Sequence, residues 1–229
     1  MAHRIESCTD LVRMIDEWGF LPLFKNRIPG FSVEEHTDPA LWFAEGVDGP
    51  WEWKGPAILE SGCAYGKFFE GKAVFISREW FPDFANYRRD GYDFDARYED
   101  GLAGWADKLV YELLEENGEL LSKELKKRGN FGKNGRKGFD SIITRLQMQG
   151  YVTTTDFVYA VDRSGKRYGW GVAKYAVPEQ HFGAAFTDVV YAREPEASGE
   201  RIFQHIKSLF PEAENRQIEA LVGMTAHRG

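Results

Sequence analysis

Ser122–Arg145 reads SKELKKRGNFGKNGRKGFDSIITR, and the fold turns on how this stretch is read. LLSKELKKRG has helical spacing and stops at Gly129. After the loop NFGKNGRKG, the run FDSIITRLQMQG places Phe139, Ile142, Ile143 and Leu146 on one helical face. Upstream, WADKLVYELLEENG (Trp105–Gly118) is an amphipathic helix with Leu109, Leu113 and Leu114 inward and Gly118 as its stop. Downstream, YVTTTDFVYAV and RYGWGVAKYAV are extended segments joined by Asp162–Lys166. Three helices and then a hairpin is the order of a winged helix-turn-helix. The expected fold is therefore α+β. It has a winged helix over about 104–178, an N-terminal aromatic-rich α+β part with a β-hairpin over 1–103, and a helical C-terminal segment over 179–229.

Charge gives this stretch its functional meaning. Lys123, Lys126, Lys127, Arg128, Lys133, Arg136, Lys137 and Arg145 stand against only Glu124 and Asp140, a net of +6 in a chain of net −7, so the other residues sum to −13. A polyanion meets one attractive patch on a repulsive body, which points to nucleic acid, with DNA the expected partner of a winged helix. In a winged helix the third helix enters the major groove and the hairpin lies on flanking backbone. The lysines and arginines ahead of that helix suit phosphate contacts, and Arg145 and Gln149 would reach base edges. Arg163, Lys166 and Arg167 on the hairpin extend the positive surface. Winged helices also serve as protein–protein modules, so a non-catalytic regulator or adaptor is the alternative.

Composition bounds the rest. A chain of 229 residues with 43% hydrophobic and 28% charged residues can bury a real core. Cys8 and Cys63 are too few for a disulfide framework, so a reducing cytoplasm is expected. MAHRIESCTD lacks the apolar core of a signal peptide, and no apolar run is long enough for a membrane helix. The five histidines show no zinc spacing, and no P-loop, dinucleotide fingerprint or nucleophile elbow is present. No metal or cofactor is expected, and oligomeric state is not legible.

The N-terminal part offers two further constellations. Thr9-Asp10 read as an N-cap before a helix carrying Leu11, Met14, Ile15 and Trp18, followed by a loop-rich stretch over 21–50. AYGKFFEGKAVFIS (Ala64–Ser77) reads as a hairpin turning at Glu70-Gly71. On a regular strand Tyr65 and Lys67 share a face, making them the expected exposed pair of a base-stacking platform. Tyr92-Asp93-Phe94-Asp95 alternates with period two, as a short strand with Asp93 and Asp95 on one face. Paired carboxylates suit acid–base work, Mg²⁺ or a small hydrolase site. The interleaved Arg88, Arg89 and Arg97 favour a salt-bridged surface.

CAYGKFFEGKAVFISREWFP (Cys63–Pro82), YRRDGYDFDARYEDGL (Tyr87–Leu102) and the Trp105–Val177 segment resemble bacterial proteins related to the AlkZ/YcaQ-type DNA glycosylases. The resemblance covers most of the chain. It implies winged helices around a DNA channel and excision of alkylated bases, with a Gln-apolar-Gln or Gln-apolar-Asp catalytic signature near the N-terminus of a longer chain. One such string occurs here, Gln147-Met148-Gln149, in the last turn of the third helix instead. An N-alkylated purine leaves with its positive charge relieved, so neutral amides that hold a water would suffice. On the resemblance, Gln147 and Gln149 are the catalytic candidates, with Asp93 or Asp95 as electrostatic partner for an oxocarbenium centre. Read from the residues alone, the two glutamines are exposed helix-end surface.

Overall fold

The computed structural model describes residues 4–42, 47–163, 165 and 167–224, apart from the side chains of Arg167 and Tyr168. Its elements run α1 (Cys8–Trp18), β1 (Phe20–Pro22), α2 (Val33–His36), α3 (Pro50–Ser61), β2 (Ala64–Phe69), β3 (Lys72–Ile76), α4 (Phe81–Arg89), α5 (Phe94–Glu99) and α6 (Trp105–Asn117). The second half continues β4 (Leu120–Leu121), α7 (Ser122–Arg128), α8 (Phe139–Met148), β5 (Thr153–Val161), β6 (Arg167–Ala176), α9 (Pro178–Phe182), α10 (Ala184–Thr187), α11 (Pro195–Leu209) and α12 (Asn215–Val222).

The mixed α+β class is as expected, and one six-stranded antiparallel sheet joins both halves in the order β1-β3-β2-β5-β6-β4. The turn between β2 and β3 has positive φ at both Glu70 (50°) and Gly71 (72°), the backbone of a tight hairpin turn that favours glycine. The seam between halves is narrow. Tyr65 pairs with Thr154, and the Thr153 hydroxyl accepts the Tyr65 amide at 3.2 Å and donates to the Tyr65 carbonyl at 3.3 Å. Side-chain hydroxyls thus supply hydrogen bonds that a diverging ladder would lose.

Two apolar clusters flank this sheet. The larger collects α1, β1 to β3, α3, α4 and the C-terminal helices α11 and α12 around Leu11, Ile15, Phe20, Phe75, Phe84, Ile202 and Ile218. The smaller packs Val110 and Leu114 of α6, Leu125 of α7 and Ile142, Ile143 and Leu146 of α8 beneath Tyr151 and Val177. The inward face of α8 is the one its sequence period foretold.

Three local expectations are corrected. Ser7, not Thr9 or Asp10, caps α1: its hydroxyl accepts the Asp10 amide, and Asp10 returns a bond from the Ser7 hydroxyl. The strand expected at Tyr92–Asp95 is the start of α5, because the Asp93 carboxylate accepts the Ala96 amide at 2.8 Å and nucleates a helix. Among the described residues four helices, not two or three, follow Val177.

Candidate nucleic-acid interface

The face of α7 sets the cationic surface. Lys123, Lys126 and Lys127 lie at i, i+3 and i+4, opposite Leu125, which is buried in the smaller core. Lys123 and Lys127 are exposed; Lys126 is half-buried, with Nζ 3.2 Å from the Asp140 carboxylate and 4.8 Å from the Phe139 ring. Arg128, also exposed, donates to Asn117 Oδ1 at 2.6 Å.

The loop between α7 and α8 continues the positive surface and is held by its own cations. The Arg136 amide donates to the Asn130 carbonyl at 2.7 Å, and its guanidinium donates to the Gly129 carbonyl at 2.8 Å. That guanidinium also lies 4.7 Å from the ring of Trp105, which is 55% exposed. Lys137 Nζ donates to the carbonyls of Gly132 and Lys133 at 3.2 and 2.9 Å. Lys133, Arg136 and Lys137 are all exposed. On the hairpin, Arg163 is exposed, Lys166 lies outside the described residues, and the side chain of Arg167 is likewise outside them.

α8 itself is placed differently from a bare recognition helix. Arg145 grips Asp107 of α6 with two nitrogens, at 2.6 Å and 3.1 Å to Oδ1, so its charge is largely compensated although half the side chain is exposed. Asp107 also accepts the Gly104 amide at 3.1 Å and caps α6. The β2–β3 hairpin flanks the other side of α8: Lys67 Nζ donates to Thr144 Oγ1 at 3.3 Å, and a Cβ at Gly71 would lie 3.5 Å from the Thr144 methyl, in ordinary van der Waals contact. A major groove about 12 Å wide admits one helix about 10–12 Å across, not a helix with a hairpin beside it. Ser141 and Arg145 are left on the open side.

The expected exposed pair at Tyr65 and Lys67 separates. A bulge between Gly66 and Phe69 breaks the alternation, so Lys67 is exposed while Tyr65 is buried against Phe75 and Phe157, with ring centroids 4.6 and 5.7 Å away. Burial pushes the Tyr65 hydroxyl well above the usual tyrosine range.

The two glutamines also part company. Gln147 is 2% exposed, so it is not helix-end surface. Its Oε1 accepts the Lys67 amide at 3.2 Å and its Nε2 donates to Thr154 Oγ1 at 3.1 Å. Gly66 is what lets this amide approach, since a Cβ there would sit 3.2 Å from Gln147 Cδ and 2.9 Å from the Phe68 ring. Gln149 ends α8 half-buried, on the wall of two concavities. Asp93 is committed as the cap of α5, and Asp95 is exposed in its first turn.

The structure adds residues that the sequence did not single out. A shallow groove of about 550 Å³ runs beside α8, walled by Lys67, Arg88, Ser141, Thr144 and Arg145. In the sequence Arg88 stands as one of several arginines among acids. Its Nε donates to the Met148 carbonyl at 2.8 Å, and its Nη1 to Val222 and Gly223 at 3.1 and 3.3 Å, tying the ends of α8 and α12. Arg89 is fully buried, donating to Glu179 at 2.6 Å, Tyr191 at 2.8 Å and the Gly150 carbonyl at 2.8 Å. Arg88 and Arg89 are therefore internal ties between α4 and distant elements, while Arg97 of α5 donates to the Arg89 carbonyl at 3.3 Å. Among the described residues, no group of three or more His, Cys, Asp or Glu is placed to hold a metal ion.

Residues 5–223 match the profile of the family described as AlkZ related. The chain belongs to that family. No curated protein matches it in sequence. Among solved structures, the Streptomyces sahachiroi DNA glycosylase AlkZ is similar at 15% identity and a TM-score of 0.46, over 90% of this chain and 51% of that one. The AlkZ-related chain thus spans about half the length of that solved glycosylase. No helix among the described residues is long and apolar enough to cross a membrane.

Proposed function

We propose that this protein binds duplex DNA through a winged helix and serves base-excision repair in the glycosylase-like manner suggested by its family. The observation that carries the reading is the exposed cationic run on α7 and the following loop, Lys123, Lys127, Lys133, Arg136 and Lys137. The order α6, β4, α7, α8, β5, β6, with β4 paired to β6, supports a winged helix over 104–178. The part before it (1–103) and the segment after it (179–229) carry that unit. Free Cys8 and Cys63 suit a cytoplasmic site of action.

The hairpin beside α8 favours contact with the phosphate backbone over deep base reading, which supports a repair protein over an operator-specific regulator. Arg145 is bound to Asp107 and contributes chiefly to placing α8. In base excision Gln149 is the amide that meets DNA, while Gln147 holds the strand and helix around it. Asp95 is the exposed carboxylate of its pair; Asp93 acts on the fold of α5.

Fluorescence anisotropy with a labelled duplex tests binding. Neutralising about five phosphates predicts a several-hundredfold affinity loss between about 50 and 200 mM salt. A flat salt response removes the proposal. Incubation with N7-alkylated duplex should leave alkali-sensitive abasic sites, and intact strands after saturation would restrict the protein to a non-catalytic DNA-binding role.

A further inference from the structure

A second concavity opens off the DNA-facing groove. It has a volume of about 680 Å³ and lies between α4, α11 and α12. Its walls include Tyr87, Phe203 and Arg97, and it shares Arg88 and Gln149 with the groove beside α8. A strand lying in that groove therefore passes directly along the opening of the cleft. Gly199 of α11 makes one wall flat: a Cβ there would meet the Tyr87 ring at 2.7 Å, so only glycine lets the ring lie against the helix. Arg88 holds the opposite edge by its bonds to the ends of α8 and α12.

We infer that this cleft receives a nucleobase turned out of the duplex, an inference that rests on the DNA-binding reading above. The volume falls within the range of small-ligand sites, and a base needs an aromatic side to stack on and an amide for its polar edge. Tyr87 and Phe203 provide the first and Gln149 the second. The Arg88 and Arg97 guanidiniums are occupied by main-chain carbonyls, Arg97 by that of Arg89 at 3.3 Å, and their two positive charges are outnumbered by four lining acids, Asp90 and three glutamates. Glu196, Glu200 and Glu219 also line the cleft, and no ion pair joins any of them to a described cation. A base bearing positive charge is favoured there over a neutral one.

The test uses the full chain and a duplex with one 2-aminopurine opposite an abasic analogue. Emission of that base rises as it leaves the stack, and its rise is compared in the wild type and in Glu200→Arg/Asn215→Arg. Both substituted positions are exposed, and the arginines occupy the cleft and reverse its charge. The variant should keep or gain duplex affinity through its added charge yet lose most of the emission rise. Added 7-methylguanosine should suppress the wild-type signal at concentrations where guanosine does not. Duplex binding with an identical emission rise in both proteins, or none in either, overturns the cleft assignment while leaving DNA binding intact. Absence of duplex binding overturns both.

Discussion

Gln147 Oε1 accepts the main-chain N–H of Lys67 across 80 residues of chain, and the same side chain donates to Thr154. One buried amide thus fastens β2 to α8 and to the start of β5. Gln147→Ala would leave the Lys67 amide without this acceptor and open a cavity beside Gly66. The expected cost is about 2–4 kcal/mol, or a fall in Tm of roughly 5–12 °C. Thermal unfolding checks it. A Tm within about 1 °C of wild type would show that the amide is not a structural tie.

Arg145 and Asp107 make the corresponding tie on the other side of α8. Asp107→Ala removes both the ion pair and the cap of α6, and should destabilise the protein by about 2–3 kcal/mol in urea unfolding. Arg145→Ala should cost stability too, while changing the salt slope of DNA binding by well under one phosphate equivalent, because its charge is already answered. A full unit of slope lost on Arg145→Ala would make it a phosphate ligand instead.

The α7 face makes the opposite demand. Lys123→Ala, Lys126→Ala and Lys127→Ala together remove three exposed or half-exposed cations without touching Leu125. Stability should change by less than about 1 kcal/mol. The logarithmic salt slope should become shallower by about 1.8, at roughly 0.9 each for Lys123 and Lys127, because the charge of Lys126 is already answered by Asp140. Unchanged slope and affinity would place the DNA contact elsewhere.

Sequence period made the helices legible and three-dimensional partners made the site illegible. The inward face of α8 recurs every three or four residues, so Ile142 and Leu146 could be placed without any distant contact. In contrast, α6 buries Val110, Tyr111 and Leu114 and leaves the expected Leu109 and Leu113 half-buried, because which side of a leucine-rich helix turns inward is set by its neighbours. The Glu70-Gly71 turn was equally local. Asp93-Phe94-Asp95 failed because alternation over three residues fits a capped helix start as well as a strand, and only the Asp93–Ala96 hydrogen bond separates them. Tyr65 failed because a bulge shifts one strand against the other, and period-two alternation in the sequence does not mark where a bulge falls. The cleft beside Tyr87 could not be read at all: its walls come from positions more than a hundred residues apart, and nothing local in PEASGERIF marks them as facing α4.

Lys54 carries the last prediction. It is 4% exposed on α3, with Nζ 3.2 Å from the Trp51 ring centre and 4.4 Å from that of Phe157. Burial pushes its pKa down to about 8, against a smaller opposing pull from Glu52. The unfolded value is about 10.4, so between pH 8 and that value the unfolded chain holds more protons than the folded one. Stability therefore rises with pH through this window, and the penalty is fully present below it. Lys54→Met removes the buried charge but also the cation–π contacts, which are worth about 1–2 kcal/mol. The net gain at pH 7 should be of order 1 kcal/mol and should shrink to nothing by about pH 10.5. Urea unfolding of both proteins across that range decides it: parallel stability curves would mean that the rings hold Lys54 as comfortably charged as neutral.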